Sequence, residues 1–211
     1  MIIGITGLAN SGKDVTAKII KNYLEKDYHY YFKILPLAKK LKEVVSILTS
    51  IPVEKFDNRD FKERPTNIKS FWYFVNDNNK KLPYVKYKGS SLIENWKLIK
   101  PTNREVLIEV GTTIFRSYNP DIWVNLLLES YRPLLDDIII PDIRFDNEAE
   151  EIKKYNKTII IKIVRPSIEK LNQISEQGIK EEYIDYTILN DGNIQDLKEK
   201  IIEILKKENL C

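Results

Sequence analysis

"MIIGITGLANSGKDVT", residues 1–16, decides how the rest of the chain is read. Ile2 to Thr6 is an apolar run of the length of one buried strand. Gly7, four further residues, Gly12 and Lys13 follow. "VTAKIIKNYLEK" (15–26) then sets Ala17, Ile20 and Leu24 on one helical face. A strand, a glycine-containing turn and a helix start bring backbone N–H groups and the positive end of a helix dipole together, which makes an anion site. Gly7 and Gly12 let the backbone turn and let a ligand approach. Lys13 is spaced to reach the outer phosphates of a nucleotide. A glycine-rich turn with a solvent-facing lysine is the plainer reading. Asp14 breaks the pattern, because a Ser or Thr usually holds magnesium there. Phosphates repel a carboxylate unless magnesium or water lies between. The same carboxylate suits the first turn of a helix. Thr16, two positions on, does not replace the missing hydroxyl. A working, a damaged and a variant site are all open at this point.

Outward from this stretch, strands and helices alternate. The pattern predicts strands over 30–35, 137–142, 158–164 and 186–190. It predicts helices over 37–48, from Pro101 to about Tyr118, over 119–132, over 148–155 and over 193–207. In the 37–48 helix, Leu37, Leu41, Val44, Val45 and Leu48 are expected to face inward. Thr102 with Glu105 reads as a capping box, and Asn119 with Pro120 as a cap and first position. "FWYFVNDNNKKLPYVKYK" (71–88) reads as a β-hairpin of two aromatic strands. It is either a small packed insertion or a contact, in a homodimer or in part of a lid. Residues 165–183 are charged and irregular. Such alternation implies an α/β fold with a parallel β-sheet flanked by helices, whose ligand lies at the carboxyl ends of the strands.

Bulk properties narrow the function. The chain has 211 residues, 43% hydrophobic and 31% charged, enough for one domain with an elaborated insertion. A net charge of +3 with interspersed signs gives no surface for coating nucleic acid or membrane. The lone cysteine, Cys211, fits a reducing compartment, and no stretch resembles a leader or a membrane span, so a cytoplasmic location is expected. His29 is the only histidine, which leaves little room for histidine-based metal or nucleophilic chemistry.

Three further stretches carry charge to the expected strand ends or to one long helix. "REVLIEVGTTIFR" holds Arg104, Gly111, Thr112 and Arg116. "DIRFDNE" holds Asp142, Arg144, Asn147 and Glu148, and "VRP" holds Arg165. Singly, each arginine is more often a surface ion pair than a ligand. Asp142 and Arg144 could pair with each other, and Glu148 could be a helix-dipole acid. Together they supply fixed positive charge on the same edge as the loop, which phosphoryl transfer requires.

At these stretches the chain resembles the phage-type deoxynucleoside monophosphate kinases. The family loop G-x-x-x-S-G-K-D-x-T stands here as "GLANSGKDVT", so Asp14 is the family's own variant. Leu41, Lys42 and Glu43 match its Pro-Leu-Lys-Glu, with Lys40 in place of the proline. Arg104, Leu107, Gly111, Thr112, Arg116 and Trp123 match a further pattern, as do "DIRFDNE", "VRP" and the later Ser175-Glu176 and Asn190-Asp191-Gly192. A histidine that often precedes Ser-Glu is absent.

The resemblance implies a single P-loop kinase domain. Its core would be 1–50, 100–164 and 186–211, its monophosphate-binding insertion 50–100, and its lid 165–185. It implies transfer of the γ-phosphoryl of ATP to a deoxynucleoside monophosphate. Gly7, Asn10, Ser11, Gly12, Lys13, Asp14, Val15 and Arg165 would hold ATP. Lys42, Arg104, Gly111, Thr112, Arg116, Trp123, Arg144, Asn147 and Glu148 would hold the acceptor. Lys13, Arg116, Asp142 and Arg144 would serve the chemistry, and Asp14 and Asp142 would meet Mg2+ through water. Two alternatives stay open: a dephospho-CoA kinase-like enzyme, which would want an acidic base where "KILPLAKKL" offers lysines, and a non-catalytic ATP-binding module.

Overall fold

The computed structural model describes residues 1–84, 95–133, 135–167 and 178–211. The chain divides into two compact units, residues 1–39 with 121–211, and residues 40–120.

The larger unit is built on five parallel strands: β1 (Ile2–Gly7), β2 (Phe32–Ile34), β6 (Asp137–Ile143), β7 (Thr158–Val164) and β8 (Tyr186–Leu189). They lie in the order β2-β6-β1-β7-β8. The chain leaves β1 in one direction to reach β2 and later crosses β1 to reach β7 and β8. The order reverses beside β1, so a crevice opens at that strand's carboxyl end. Period-two alternation builds both faces. Ile3, Ile5, Ile139, Ile161, Ile163 and Ile188 pack with Ala17, Ile20 and Leu24 of α1 (Lys13–Tyr28) and with Leu197, Ile201 and Leu205 of the C-terminal helix Ile194–Lys207. Ile2, Ile138, Ile140, Ile143 and Ile160 face the other way, onto Val124 and Leu127 of the helix Ile122–Leu128 and onto Ala149 and Ile152 of the helix Asp146–Lys153.

Pro141 lies inside β6, where it has no N–H to give the ladder. The pairing with β1 slips there, from Gly4↔Ile140 to Thr6↔Ile143. Gly4 permits the packing beneath: a Cβ on it would stand 2.4 Å from Ile143 Cδ1.

The smaller unit holds most of α2 (Ala38–Thr49), α3 (Arg59–Glu63), a three-stranded antiparallel sheet and α4 (Asn103–Ile108). Thr102 caps α4, and its capping box with Glu105 forms as predicted. The backbone widens into a π turn over Glu109–Phe115, then closes as α5 (Arg116–Tyr118). Val45, Phe56, Val106 and Val110 form its core. The predicted hairpin is β3 (Tyr73–Val75) against β4 (Lys81–Pro83), with β5 (Lys97–Ile99) as an unexpected third strand on the other side of β3. Its residues 85–88 lie outside the described ones.

Two local expectations fail. Leu48 is 58% exposed, because the buried positions of α2 are Val45 and, one turn on, Thr49, and Leu48 lies off that line. The helix expected from Asn119 is α6 (Ile122–Leu128). Asp121 stands at its cap position, and Asn119 and Pro120 belong to the approach. The helix Asp146–Lys153 is α7 and Ile194–Lys207 is α8. Among the described residues, no helix is long and apolar enough to cross a membrane.

Asp136 ties the entrance of β6 together. It accepts from the Arg132 N–H at 3.0 Å, Arg132 Nε at 3.1 Å and Lys33 Nζ at 2.8 Å. Arg132, then Lys33, hold its carboxyl well below the usual carboxylate range. A depressed folded-state pKa stabilises fully above the unfolded value, about 4, and that stabilisation is lost as pH falls below it. Asp136→Asn should therefore unfold at lower urea than the parent at pH 7, with the gap narrowing by pH 3. A gap of equal size at both pH values would show that the carboxylate's charge contributes nothing.

Candidate active site

The turn after β1 is compact because two glycines take conformations closed to other residues. Gly7 has φ +143° and Gly12 φ +107°. A Cβ on Gly7 would sit 2.4 Å from the Ile163 carbonyl oxygen, the neighbouring strand's backbone. Asn10 takes a left-handed conformation, φ +64°, which asparagine tolerates better than most residues. The Ser11 N–H donates to the Leu8 carbonyl at 3.2 Å. Gly12 is the cap position of α1 and brings no side chain to its first turn. Lys13 is buried, and its ammonium donates to the carbonyls of Gly7 at 2.7 Å and Leu8 at 2.6 Å. Those bonds hold its charge over the start of the loop. Asp14 and Val15 are exposed on the first turn of α1. The buried hydroxyls of Ser11 and Thr16 have no partner among the described residues.

A cleft of about 330 Å³ opens beside this loop. Thr6, Gly7 and Leu8 line one side, and Arg144 and Arg165 line it from the ends of β6 and β7. Lys162 and Glu181, paired with each other, and Gly178 and Ile179 complete the wall. Two arginines predicted at separate strand ends thus share one cleft with the loop. The segment expected as a lid over 165–185 divides. Residues 168–177, with Ser175 and Glu176, lie outside the described ones. Ile179 is buried against the sheet's second face, and the Lys180 N–H donates to Asp146 at 2.8 Å, so the end of that segment is anchored to the core.

Two further carboxylates nearby are engaged with backbone. Asp142 accepts from the N–H groups of Leu37 at 2.8 Å and Ala38 at 2.9 Å, fixing the start of α2 against the end of β6. Glu148 is 2% exposed, and one of its oxygens accepts from the N–H groups of Arg144 at 2.7 Å and Phe145 at 3.1 Å. Glu148 thereby shapes the turn that presents Arg144. Asn147 donates to Asp121 at 2.7 Å, joining α7 to the cap of α6. Trp123 is buried on α6.

On the smaller unit, Gly111 lies under α2: a Cβ there would meet a Leu41 methyl at 2.6 Å. A side chain at 111 would require the Leu41 side chain to move. Thr112 is partly exposed beside it, and Arg116 donates to the Pro120 carbonyl at 2.7 Å. Arg104 pairs with Glu63 at 2.6 Å, and Lys42 with Asp57 at 2.6 Å. Sequence reasoning missed Lys62. Burial, then the nearby charges of Arg104 and Lys42, push its ammonium below the usual lysine value. Only the packing of α3 against α4 reveals this cluster, since residues 42, 62 and 104 share no spacing pattern.

Among the described residues, no group of His, Cys, Asp and Glu could by itself hold a metal ion. Magnesium suits such a site when carried by phosphate and water oxygens rather than by a protein cage. The uncapped α1 amides, the two glycines and the orphaned Ser11 hydroxyl together fit a polyphosphate.

A family model described as "Deoxynucleotide monophosphate kinase" matches residues 36–201. The chain belongs to that kinase family. The kinase is 26% identical to the deoxynucleotide monophosphate kinase of Enterobacteria phage T4, over 97% of this chain and 98% of that one. It is 27% identical to the deoxynucleoside-5'-monophosphate kinase of Escherichia phage T5, over 94% and 93%. Among solved structures, a dephospho-CoA kinase from Campylobacter jejuni is similar at 14% identity and a TM-score of 0.46, over 98% and 96% of the two chains. As a member of a kinase family, the chain is a phosphotransferase and uses a nucleotide phosphate donor.

Removing the Glu148 carboxylate should loosen the Arg144 turn. Glu148→Ala should cost about 1–3 kcal/mol of unfolding free energy, because two backbone donors lose their acceptor, while Glu148→Gln should cost less. Urea denaturation of the two variants measures this; parental stability in the alanine variant would remove Glu148 from that role.

Proposed function

We propose that the kinase transfers the γ-phosphoryl group of ATP to a deoxynucleoside monophosphate. The observation that carries this is the single cleft in which the loop after β1, Arg144 and Arg165 meet. In the reaction an oxygen of the acceptor phosphate forms a bond to the γ-phosphorus, and the bond from that phosphorus to the β–γ bridging oxygen breaks, releasing ADP. The acceptor oxygen is already anionic, so no base must remove a proton. What the protein supplies is positioning and fixed positive charge.

The loop amides, with Ser11, are assigned the donor's phosphates, and Lys13 is assigned its outer ones. Binding would draw the Lys13 ammonium from two neutral carbonyls to anionic oxygens, a stronger partner. Arg144 is assigned the transferring group, with its turn held by Glu148. Arg165 is assigned the donor nucleotide at the mouth of the cleft. Asp14, and Asp142 by its outer lone pairs, would meet Mg2+ through water. When bound with ATP, magnesium neutralises charge on the donor phosphates.

For the acceptor, Lys42, Arg104, Thr112 and Arg116 are assigned its phosphate and sugar, with Lys62 added. A phosphate placed among Lys42, Lys62 and Arg104 would relieve their mutual repulsion. Trp123 and Asn147 are assigned supporting roles through α6 and α7.

ADP release from ATP and Mg2+, measured separately with dAMP, dCMP, dGMP, dTMP, the ribonucleotides and dephospho-CoA, tests the assignment. Turnover with one or more deoxynucleotides is expected, with kcat/KM lowered about 100- to 1,000-fold in Lys13→Ala and in Arg144→Ala. Turnover with dephospho-CoA alone, or ATP binding without any turnover, would overturn it. Lys62→Ala should raise the KM for the deoxynucleotide about tenfold, the value of one charge-assisted contact, with the KM for ATP unchanged. An unchanged acceptor KM would remove Lys62 from the acceptor site.

A further inference from the structure

Asn190 reaches the phosphate loop from a strand two places away in the sheet. It follows β8 directly, and its backbone N–H donates to the Val164 carbonyl at 2.7 Å, which extends the ladder with β7 by one residue. Its side-chain Nδ2 donates to the Ser11 carbonyl at 2.8 Å. A Cβ on Gly12 would lie 2.7 Å from the same nitrogen. The amide of Asn190 therefore rests on the Ser11–Gly12 peptide itself.

That peptide has little else to orient it. Gly12 sits at φ +107°, and glycine restrains its own backbone less than any other residue. The buried Ser11 hydroxyl has no partner among the described residues and holds nothing. Asn190, by contrast, is braced on both sides. Lys200 of α8 donates to the Leu189 carbonyl at 2.6 Å and to the Asp191 carboxylate at 3.0 Å. Asn193 and Asp196 cap the same helix, and Gly192 allows it, since a Cβ there would stand 2.1 Å from Asp196 Oδ2. The "NDGN" stretch thus becomes a bracket: one residue on the loop, one on α8, one without a side chain, and one at the cap.

We infer that Asn190 is a positioning residue that aims the Gly12 N–H at the donor's phosphates. A trans peptide is planar, with its C=O and N–H pointing in opposite directions. Holding the Ser11 oxygen toward β8 turns the Gly12 N–H away from β8, into the turn of the loop. The donor is then aligned before ligand arrives, so binding need not select one peptide orientation from several. Asn190 touches no phosphate and acts through the peptide.

The inference rests on the reading of the loop as the ATP site. Its test uses the full chain with Asn190→Ala and with the near-isosteric Asn190→Asp, which keeps the size but has no donor. ATP affinity is measured by calorimetry without acceptor, KM is measured for both substrates, and the Gly12 amide cross-peak is followed by NMR on adding ATP. The expected result is ATP affinity weakened about tenfold, one hydrogen bond's worth. The acceptor KM should stay within about twofold, and the ATP-induced shift of the Gly12 cross-peak should be reduced in both variants. Should the alanine variant not fold, the aspartate variant decides. Parental ATP affinity and a parental Gly12 shift in the variants would overturn the inference alone. A parent chain that binds no ATP would overturn the reading of the loop, and this inference with it.

Discussion

The lack of room at the end of β1 governs the site. β1 is the central strand, paired on one side with β6 and on the other with β7, in register from Ile2↔Thr158 to Gly7↔Ile163. A chain leaving such a position must turn at once between two neighbouring backbones. Gly7 manages it with the Ile163 carbonyl where a side chain would be, and Gly12 with Asn190 where its own would be. The register does the rest. Thr6 lies opposite Ile143 and Gly7 opposite Ile163, so Arg144 is one residue past the first partner and Arg165 two past the second. The two arginines meet the loop because three parallel strands end together, and no local motif dictates that.

The acidic residues raise an electrostatic problem that the backbone resolves. Asp142 and Glu148 lie within a few residues of Arg144, and bare carboxylates there would repel a polyphosphate. Each instead accepts two backbone N–H groups. Hydrogen bonding to the carboxylate spreads its charge over fixed backbone dipoles. The same bonds set the angle of the Arg144 turn and the start of α2. These two acids near the cleft thus shape the backbone around it, whereas Asp14 is exposed on the first turn of α1.

Much of this was legible in the sequence, for identifiable reasons. Strands such as "TIIIKIV" are apolar on both faces and bounded by polar residues, so their limits match Thr158–Val164. The loop and "DIRFDNE" are contiguous, and adjacency in sequence carries into the structure. What failed depended on partners far along the chain. Leu48 fits a helical stripe, yet in that turn it is Thr49 that is buried and Leu48 that is exposed. The third strand, Lys97–Ile99, is three residues long and polar at one end, too short for periodicity to show. Asn190 was visible as part of a motif, but its target, Ser11, is 179 residues away. Glu148 reads in the sequence as a ligand candidate or a helix-dipole acid, and nothing in its spacing shows that it is buried with two backbone N–H groups on one oxygen.

Lys42, Lys62 and Arg104 show the same limit from the side of charge. The cluster sets three cations against two carboxylates, Asp57 and Glu63. The carboxylates satisfy Lys42 and Arg104 at close range, while Lys62 bears the cost of burial and of two like charges. A structural ion-pair network has no need of that third cation; replacing it with an apolar side chain would relieve the repulsion. An excess of positive charge held at some expense is, however, what an anion site requires, because the incoming phosphate returns that energy as affinity. Lys62 thus carries the strain of the cluster, from burial first and then from Arg104 and Lys42, and that is the feature the proposed acceptor site draws on.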